Sequence, residues 1–131
     1  MTQITGTELR ARREALSFAQ VAFAQHLKVP SKTLNRWETG RSKIPPGVAA
    51  ELELLEDALE SLVERMLDEV EDSPPDVVLM THVDDAAFWA VHPEHEGLPS
   101  IIHRVACARV AAMLRAEDGP DLRIMSVADI P

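Results

Sequence analysis

Apolar residues recur at helical spacing in three short segments at the start of the chain. The pattern predicts a first helix over residues 8–16. A second helix follows residues 17–20, which have the capping-box form, with the Ser17 hydroxyl as N-cap and a glutamine three residues later. The third helix covers residues 31–39 and ends at Gly40, because glycine readily adopts the left-handed conformation that closes a helix. We therefore expect three short helices, with a tight turn between the second and the third.

A longer helix is predicted over residues 48–72, where apolar residues recur at steps of four and three. The positions of this apolar seam are Val48, Leu52, Leu55, Leu59, Leu62, Met66 and Val70. Ten acidic residues and only one basic residue lie in the same segment. The seam can pack either on the chain's own core or against a second copy of the chain.

The remainder of the chain alternates between strand and helix patterns. Short runs rich in β-branched and other apolar residues predict strands over residues 77–81 and 122–127. Two segments between them predict helices over residues 84–92 and 99–116. Two strands that flank two helices form a small β-α-α-β part. The predicted fold class is therefore mainly α, of the α+β type.

Charge divides the chain sharply, although its composition is ordinary for a globular protein. The net charge of −9 over 131 residues, taken alone, argues against binding to nucleic acid. Residues 1–47, however, carry eight basic and three acidic residues, a net charge of +5. Residues 48–131 carry five basic and 19 acidic residues, a net charge of −14. This split suggests that the first segment meets a polyanion and that the second does not.

The second and third predicted helices have the helix-turn-helix arrangement, in which the third helix is braced so that its N-terminal side chains enter the major groove of DNA. The candidate base-reading residues on this helix are Ser31, Lys32, Thr33 and Asn35. Lysine can donate to guanine, and asparagine can pair with adenine through two hydrogen bonds. The other basic residues on this helix and just after it are Arg36, Arg41 and Lys43. They lie where the DNA phosphates would pass, and they would position the protein without reading the base sequence.

These patterns divide the chain into three parts. We expect a DNA-binding helix-turn-helix core over residues 1–47. The acidic helix at 48–72 completes this bundle and connects it to a C-terminal α+β dimerisation domain at 73–131. A dimer is expected because it reads two half-sites about one helical turn apart.

A run of residues at fixed spacing carries a family resemblance. These residues are Leu9-Arg10, Arg13-Glu14-Ala15-Leu16, Gln20, Phe23-Ala24, Leu27, Val29, Thr33-Leu34, Arg36-Trp37-Glu38 and Gly40. Together they resemble, without a gap, the phage-repressor/Cro (XRE-type) helix-turn-helix family. The resemblance implies that Gln20 contacts phosphate or supports the third helix, and that Ser31, Lys32 and Asn35 face bases. It also implies that Arg10 pairs with Glu38 to hold the first helix to the third, and that Trp37 is a core residue.

Two residues depart from the pattern of that family. Ala19 stands where the family usually has serine or threonine, but Ser17 can shift the cap to an earlier position. Lys28 stands where the family favours glycine, at a position expected to need a positive φ, which strains a residue with a side chain. Neither departure removes a predicted DNA contact.

A longer pattern extends beyond the helix-turn-helix segment. It consists of the Trp-Glu-Thr-Gly-Arg-Ser-Lys-Ile-Pro sequence at 37–45, the acidic helix, the Phe-Trp-Ala-Val-His-Pro-Glu-His sequence at 88–95, and the Glu-Asp-Gly-Pro-Asp-Leu turn at 117–122. This pattern is similar to the anti-CRISPR-associated (Aca) autorepressors and related small bacterial helix-turn-helix proteins. The resemblance implies an appended dimerisation domain and silencing of the operon that encodes the protein.

We therefore expect a sequence-specific, homodimeric repressor that binds an inverted-repeat operator in double-stranded DNA. Two alternatives stay open: an antitoxin that grips a toxin through its C-terminal part, and a regulator that binds RNA of its own transcript. No nucleophile motif, catalytic carboxylate pair or glycine-rich phosphate loop occurs in the sequence, so we expect no enzyme activity and no cofactor.

The histidines at 82, 92, 95 and 103 have the residue type of a metal site, but we expect them to be structural or exposed rather than metal ligands. The single cysteine, Cys107, is expected to be a small core residue. One cysteine, no signal-peptide pattern and no long apolar run indicate a cytoplasmic, DNA-associated protein without membrane contact.

Overall fold

A computed structural model describes residues 3–73 and 76–131 of the chain. These residues are mainly helical with one small two-stranded sheet, as the sequence predicts. The chain divides into two compact units, and the boundary lies between Glu56 and Asp57. This boundary falls inside the long helix, whereas the division expected from sequence treats residues 48–72 as a part of their own. No helix in the described ranges is both long and apolar enough to cross a membrane.

The first unit contains three short helices and the start of a long one. Their bounds are Gly6–Ala15 (α1), Gln20–Leu27 (α2), Ser31–Glu38 (α3) and Pro46–Glu71 (α4). The Thr5 hydroxyl caps α1 by accepting a hydrogen bond from the Glu8 backbone N–H, and the Glu8 carboxylate accepts one from the Thr5 N–H. This capping box satisfies two N-terminal donors and starts α1 earlier than the apolar pattern predicts.

The capping box predicted at residues 17–20 is wrong. Ser17 has a left-handed backbone conformation, with a φ of 61°. The backbone N–H groups of Ser17 and Phe18 donate to the carbonyls of Glu14 and Arg13 and so close the C-terminus of α1. Because the Ser17 backbone serves this closure, α2 begins after Ala19, which offers no side-chain cap.

The turn between α2 and α3 has the conformation that the family resemblance implies. Lys28 is left-handed, with a φ of 60°. The next N–H, that of Val29, donates to the Ala24 carbonyl at 3.0 Å and so ends α2. Pro30 then precedes α3, which suits the extended conformation that a helix start requires.

All positions of the predicted α4 seam are buried within the chain, from Val48 to Val70. In the first unit the core also contains Leu9, Phe23 and Leu34, each with no exposed surface. Burial of the seam within the chain satisfies its apolar side chains without a second copy.

The second unit, which starts within α4, has the predicted β-α-α-β order. Its further elements are β1 (Val78–Met80), α5 (Asp85–Val91), α6 (Ser100–Ala116) and β2 (Arg123–Met125), with 3-10 turns at Pro93–His95 and Val127–Asp129. The two strands pair in parallel, with Leu79 opposite Ile124. A parallel pair needs a crossover connection, and the two helices supply it. Phe88 and Ile102 are fully buried and bring α5 and α6 into the core of this unit.

Candidate nucleic-acid interface

Helix α3 has one buried face and one exposed face. The buried residues are Leu34, Trp37 and Glu38. The exposed residues at and after its first turn are Lys32, Asn35, Arg36 and Thr39. A spacing of three and four keeps the exposed residues on one side of the helix. Lys32 and Asn35, the predicted base-reading residues, therefore share a face with the predicted phosphate contact Arg36, and Trp37 lies in the core as predicted.

Ser31 and Thr33 occupy the first turn of α3 and are half-buried. At 100° per residue they flank the exposed face on either side instead of lying at its centre. Of the four predicted base-reading residues, Lys32 and Asn35 are thus exposed on the face, and Ser31 and Thr33 lie at its margins.

The turn after α3 contains two further basic residues, Arg41 and Lys43. Gly40 is left-handed (φ 78°), as predicted, and the Arg41 N–H donates to the Arg36 carbonyl at 2.9 Å. This is the closing bond of a Schellman motif. Arg41 and Lys43 are exposed, and the chain returns to the core at Ile44, which is 7% exposed.

In the described ranges, none of the ion pairs involves Lys32, Arg36, Arg41 or Lys43. The arginines of α1, in contrast, all pair with carboxylates: Arg10 with Glu14, Arg12 with Glu56, and Arg13 with Glu38. No ion pair among the described residues therefore neutralises the positive charge that α3 and its following turn expose. Such a surface can exchange bound counterions for the phosphates of a nucleic acid.

The predicted pairing of Arg10 with Glu38 is wrong, and Arg13 takes that place. Arg13 Nε and Nη2 donate to the two Glu38 oxygens at 2.7 and 3.0 Å, and Nη1 donates to the Phe18 carbonyl at 2.7 Å. Both side chains are almost fully buried, and their hydrogen bonds raise the pKa of Arg13 above its ordinary value. Arg10 lies on the exposed side of α1 and reaches only Glu14, one turn away.

The sequence holds a signal for Arg13. It lies four residues after Leu9 and three before Leu16, both of which are buried, so helical spacing places all three on the core-facing side. Arg10 lies one residue from Leu9, which turns it about 100° away from that side. Helical spacing therefore discriminates between the two arginines where the family resemblance did not.

Gln20 connects this ion pair to the exposed face. Its side-chain amide donates to Glu38 at 3.1 Å and to the Asn35 side-chain oxygen at 3.5 Å, a long and weak hydrogen bond. Of the two roles that the resemblance gave Gln20, these contacts supply the support of α3. Arg13, Glu38 and Gln20 together join α1, α2 and α3 through hydrogen bonds and fix the orientation of α3.

A family model described as Aca2/YdiL-like matches residues 4–121 of this chain. The match spans both units, including the exposed face of α3 and most of the β-α-α-β part. No curated protein matches the chain.

Proposed function

This chain belongs to the Aca2/YdiL-like family, and from that premise we propose that it is a DNA-binding repressor that controls an anti-CRISPR-associated operon, its own. Family membership suggests a regulator of the anti-CRISPR-associated kind. The observation that carries the proposal further is the basic face formed by α3 and the turn after it, whose cations form no ion pair with any residue that the structure describes. We assign α2 and α3 as a helix-turn-helix of the phage-repressor/Cro type, with α3 as the helix that enters the major groove.

In this proposal the residues of the basic face divide into two kinds. Lys32 and Asn35 contact base edges, because their side chains are exposed and of the types that pair with guanine and adenine. Arg36, Arg41 and Lys43 contact phosphates. Ser31 and Thr33 contact the DNA at the margin of the face. Gln20 supports α3 through its hydrogen bond to Glu38.

The buried ion pair supports this assignment because base reading needs a rigid helix. Base contacts require the reading side chains at fixed positions relative to the groove. Helix α3 is only eight residues long, so its orientation depends on packing and on the Arg13–Glu38–Gln20 hydrogen bonds more than on its own stability.

We propose that the repressor acts as a homodimer on an inverted repeat. Large apolar side chains that the second unit leaves exposed include Met80, Val83, Val91, Met113, Ile124, Val127 and Ile130. Exposed apolar surface of this kind is typical of an interaction site when it forms a patch.

The acidic residues of α4 repel phosphate, which favours DNA contact through α3. A dimer on the operator blocks transcription by excluding polymerase.

The proposal is tested with two matched substitutions on the same helix face. Asn35→Ala is expected to relax discrimination at one base pair by about 1–3 kcal/mol, because the side chain reads a base. Arg36→Ala is expected to weaken binding to all sequences alike and to lower the salt dependence by about one counterion. Affinities are measured by fluorescence anisotropy on the upstream duplex of the gene and on single-base variants of it.

Arg65→Ala is the control, because it removes one exposed positive charge from the part of α4 that lies in the second unit. It is expected to leave both affinity and specificity unchanged. If Asn35→Ala and Arg36→Ala reduce affinity equally for every duplex, the assignment of the reading residues is wrong. If an RNA hairpin of the transcript displaces the upstream duplex at equal concentration, the basic face does not distinguish the two nucleic acids.

A further inference from the structure

Three histidines that are distant in sequence meet in the second unit. His82 follows β1, His92 ends α5, and His103 lies in the first half of α6. One potential ligand nitrogen from each lies within 4.8 Å of the others. His103 is buried and the other two are half-buried. His95, which the sequence groups with them, is not part of this triad.

Two of the three imidazoles form hydrogen bonds through Nδ1. The Nδ1 atom of His103 lies 2.8 Å from the Thr81 hydroxyl, and the Nδ1 atom of His92 lies 3.1 Å from a Glu94 carboxylate oxygen. These contacts leave Nε2 on both rings. The Nε2 atom of His82 is buried and has no hydrogen-bond partner among the described residues. Metal-binding histidines characteristically use the second nitrogen in this way, bonding it to a carboxylate or another oxygen.

The backbone around the triad is fixed from both sides. The Thr81 N–H donates to the Met125 carbonyl at 2.8 Å, which holds the end of β1 to β2. The Arg104 guanidinium donates to the His82 carbonyl at 2.8 Å. The Phe88 ring packs against the triad, with its centroid 5.2 Å from those of His82 and His103. An apolar shell of this kind limits access of water to the nitrogens.

We propose that His82, His92 and His103 form a binding site for one divalent transition-metal ion of the zinc type. Imidazole ligands suit zinc, copper and nickel, and exclude calcium and magnesium, which prefer oxygen. Tetrahedral zinc at Zn–N distances of about 2.0–2.1 Å needs nitrogens about 3.3 Å apart. The three nitrogens, which lie within 4.8 Å of one another, would have to move closer together to reach this spacing.

The site would have three protein ligands. Two of them, His92 and His103, line a cavity of about 500 Å³ in the same unit, together with Glu94 and His95. Three histidines with one position free for solvent is the ligand set of an accessible zinc site, in contrast to the four ligands of a closed structural one. The ion would tie the end of β1, the end of α5 and α6 together, and would satisfy the buried Nε2 of His82.

The test uses the full-length protein after metal removal, titrated with zinc sulfate in a calorimeter. We expect one equivalent to bind with a Kd of about 1 µM or tighter. Cobalt(II) is expected to give the visible absorption of a tetrahedral site, and zinc to raise the melting temperature of the wild-type protein. His95→Gln is the matched control, because His95 lines the same cavity but is not one of the three ligands. This variant is expected to bind zinc as the wild type does.

Two kinds of variant separate metal binding from folding. His92→Gln is expected to abolish the tight zinc phase. Glu94→Ala and Thr81→Val keep the ligands but remove the hydrogen bonds to Nδ1, and are expected to weaken binding about 10- to 100-fold. Circular dichroism of each variant without metal reports its folding. The proposal is overturned if the wild type binds zinc only weakly, or if His95→Gln lowers the affinity as much as His92→Gln. Neither result bears on DNA binding by α3.

Discussion

Replacing Arg13 by alanine is expected to destabilise the first unit far more than replacing Arg10, three residues earlier in the same helix. Arg13→Ala removes two hydrogen bonds to Glu38 and one to the Phe18 carbonyl. It leaves a Glu38 carboxylate that is 3% exposed, and the Gln20 amide is then its only side-chain partner among the described residues. Breaking a buried pair in this way costs about 3–5 kcal/mol, because one charge stays buried without compensation.

The control substitution makes the same chemical change on the exposed face of α1. Arg10 and Glu14 are 63% and 54% exposed, and they form a pair one helical turn apart. Such a pair contributes about 0.5 kcal/mol or less, since water and salt screen it. Both substitutions remove one positive charge from α1 and introduce the same good helix former. Any difference between them therefore reports the buried contacts of Arg13 with Glu38 and with the Phe18 carbonyl.

Urea unfolding followed by circular dichroism measures the difference. With a slope of about 1–3 kcal/mol per molar urea, Arg13→Ala is expected to lower the midpoint by more than 1 M and Arg10→Ala to leave it nearly unchanged. The double variant Arg13→Met with Glu38→Leu is expected to recover most of the loss, because it removes both charges together. Equal midpoints for Arg13→Ala and Arg10→Ala would refute the assignment of the interhelical pair.

Three further predictions concern backbone contacts and burial. Gly6→Ala is expected to destabilise the protein, because the new Cβ would lie 2.4 Å from the Trp37 carbonyl oxygen. Gly47→Ala is expected to stabilise the protein by about 0.5–1 kcal/mol, because no atom lies within 4 Å of the new Cβ and alanine favours a helix. Urea unfolding measures both changes. Lys28→Gly is expected to raise the melting temperature slightly, since it relieves a φ of 60°. Iodoacetamide at pH 8 is expected to alkylate Cys107 far more slowly in the folded protein than in urea, because burial shields the thiol and raises its pKa to about 11. Mass spectrometry follows the alkylation.

Each of these predictions has an opposite outcome. A stabilising effect of Gly6→Ala would mean that α1 does not approach the end of α3 closely. A lower melting temperature for Lys28→Gly would mean that the lysine side chain contributes more than its backbone strain costs. Equal alkylation rates in buffer and in urea would place the Cys107 thiol at the surface.

Periodic patterns predicted most of the fold. The α4 seam is buried at every predicted position, because a repeat of three and four residues over a long segment has few other interpretations. The face of α3 that offers Lys32 and Asn35 follows from the same spacing. These features depend on neighbours along one helix, which a single sequence displays directly.

Features that depend on contacts between elements were predicted less well. Ser17 has the residue type of an N-cap, but the end of α1 determines its conformation. The partner of Glu38 is chosen by packing between helices, and the resemblance pointed to the wrong arginine. The triad of His82, His92 and His103 comes together only because β1, α5 and α6 meet, which no spacing along the chain reveals.

The most direct test of the account is the affinity of the wild-type protein for the DNA upstream of its own gene. Anisotropy is measured at physiological salt with that duplex and with a shuffled duplex of the same composition. A specific repressor is expected to bind the upstream duplex at least about 1,000-fold more tightly, as a dimer on an inverted repeat. Equal affinity for the two duplexes, or no binding to either, would contradict the assignment of α3 as a helix that reads DNA.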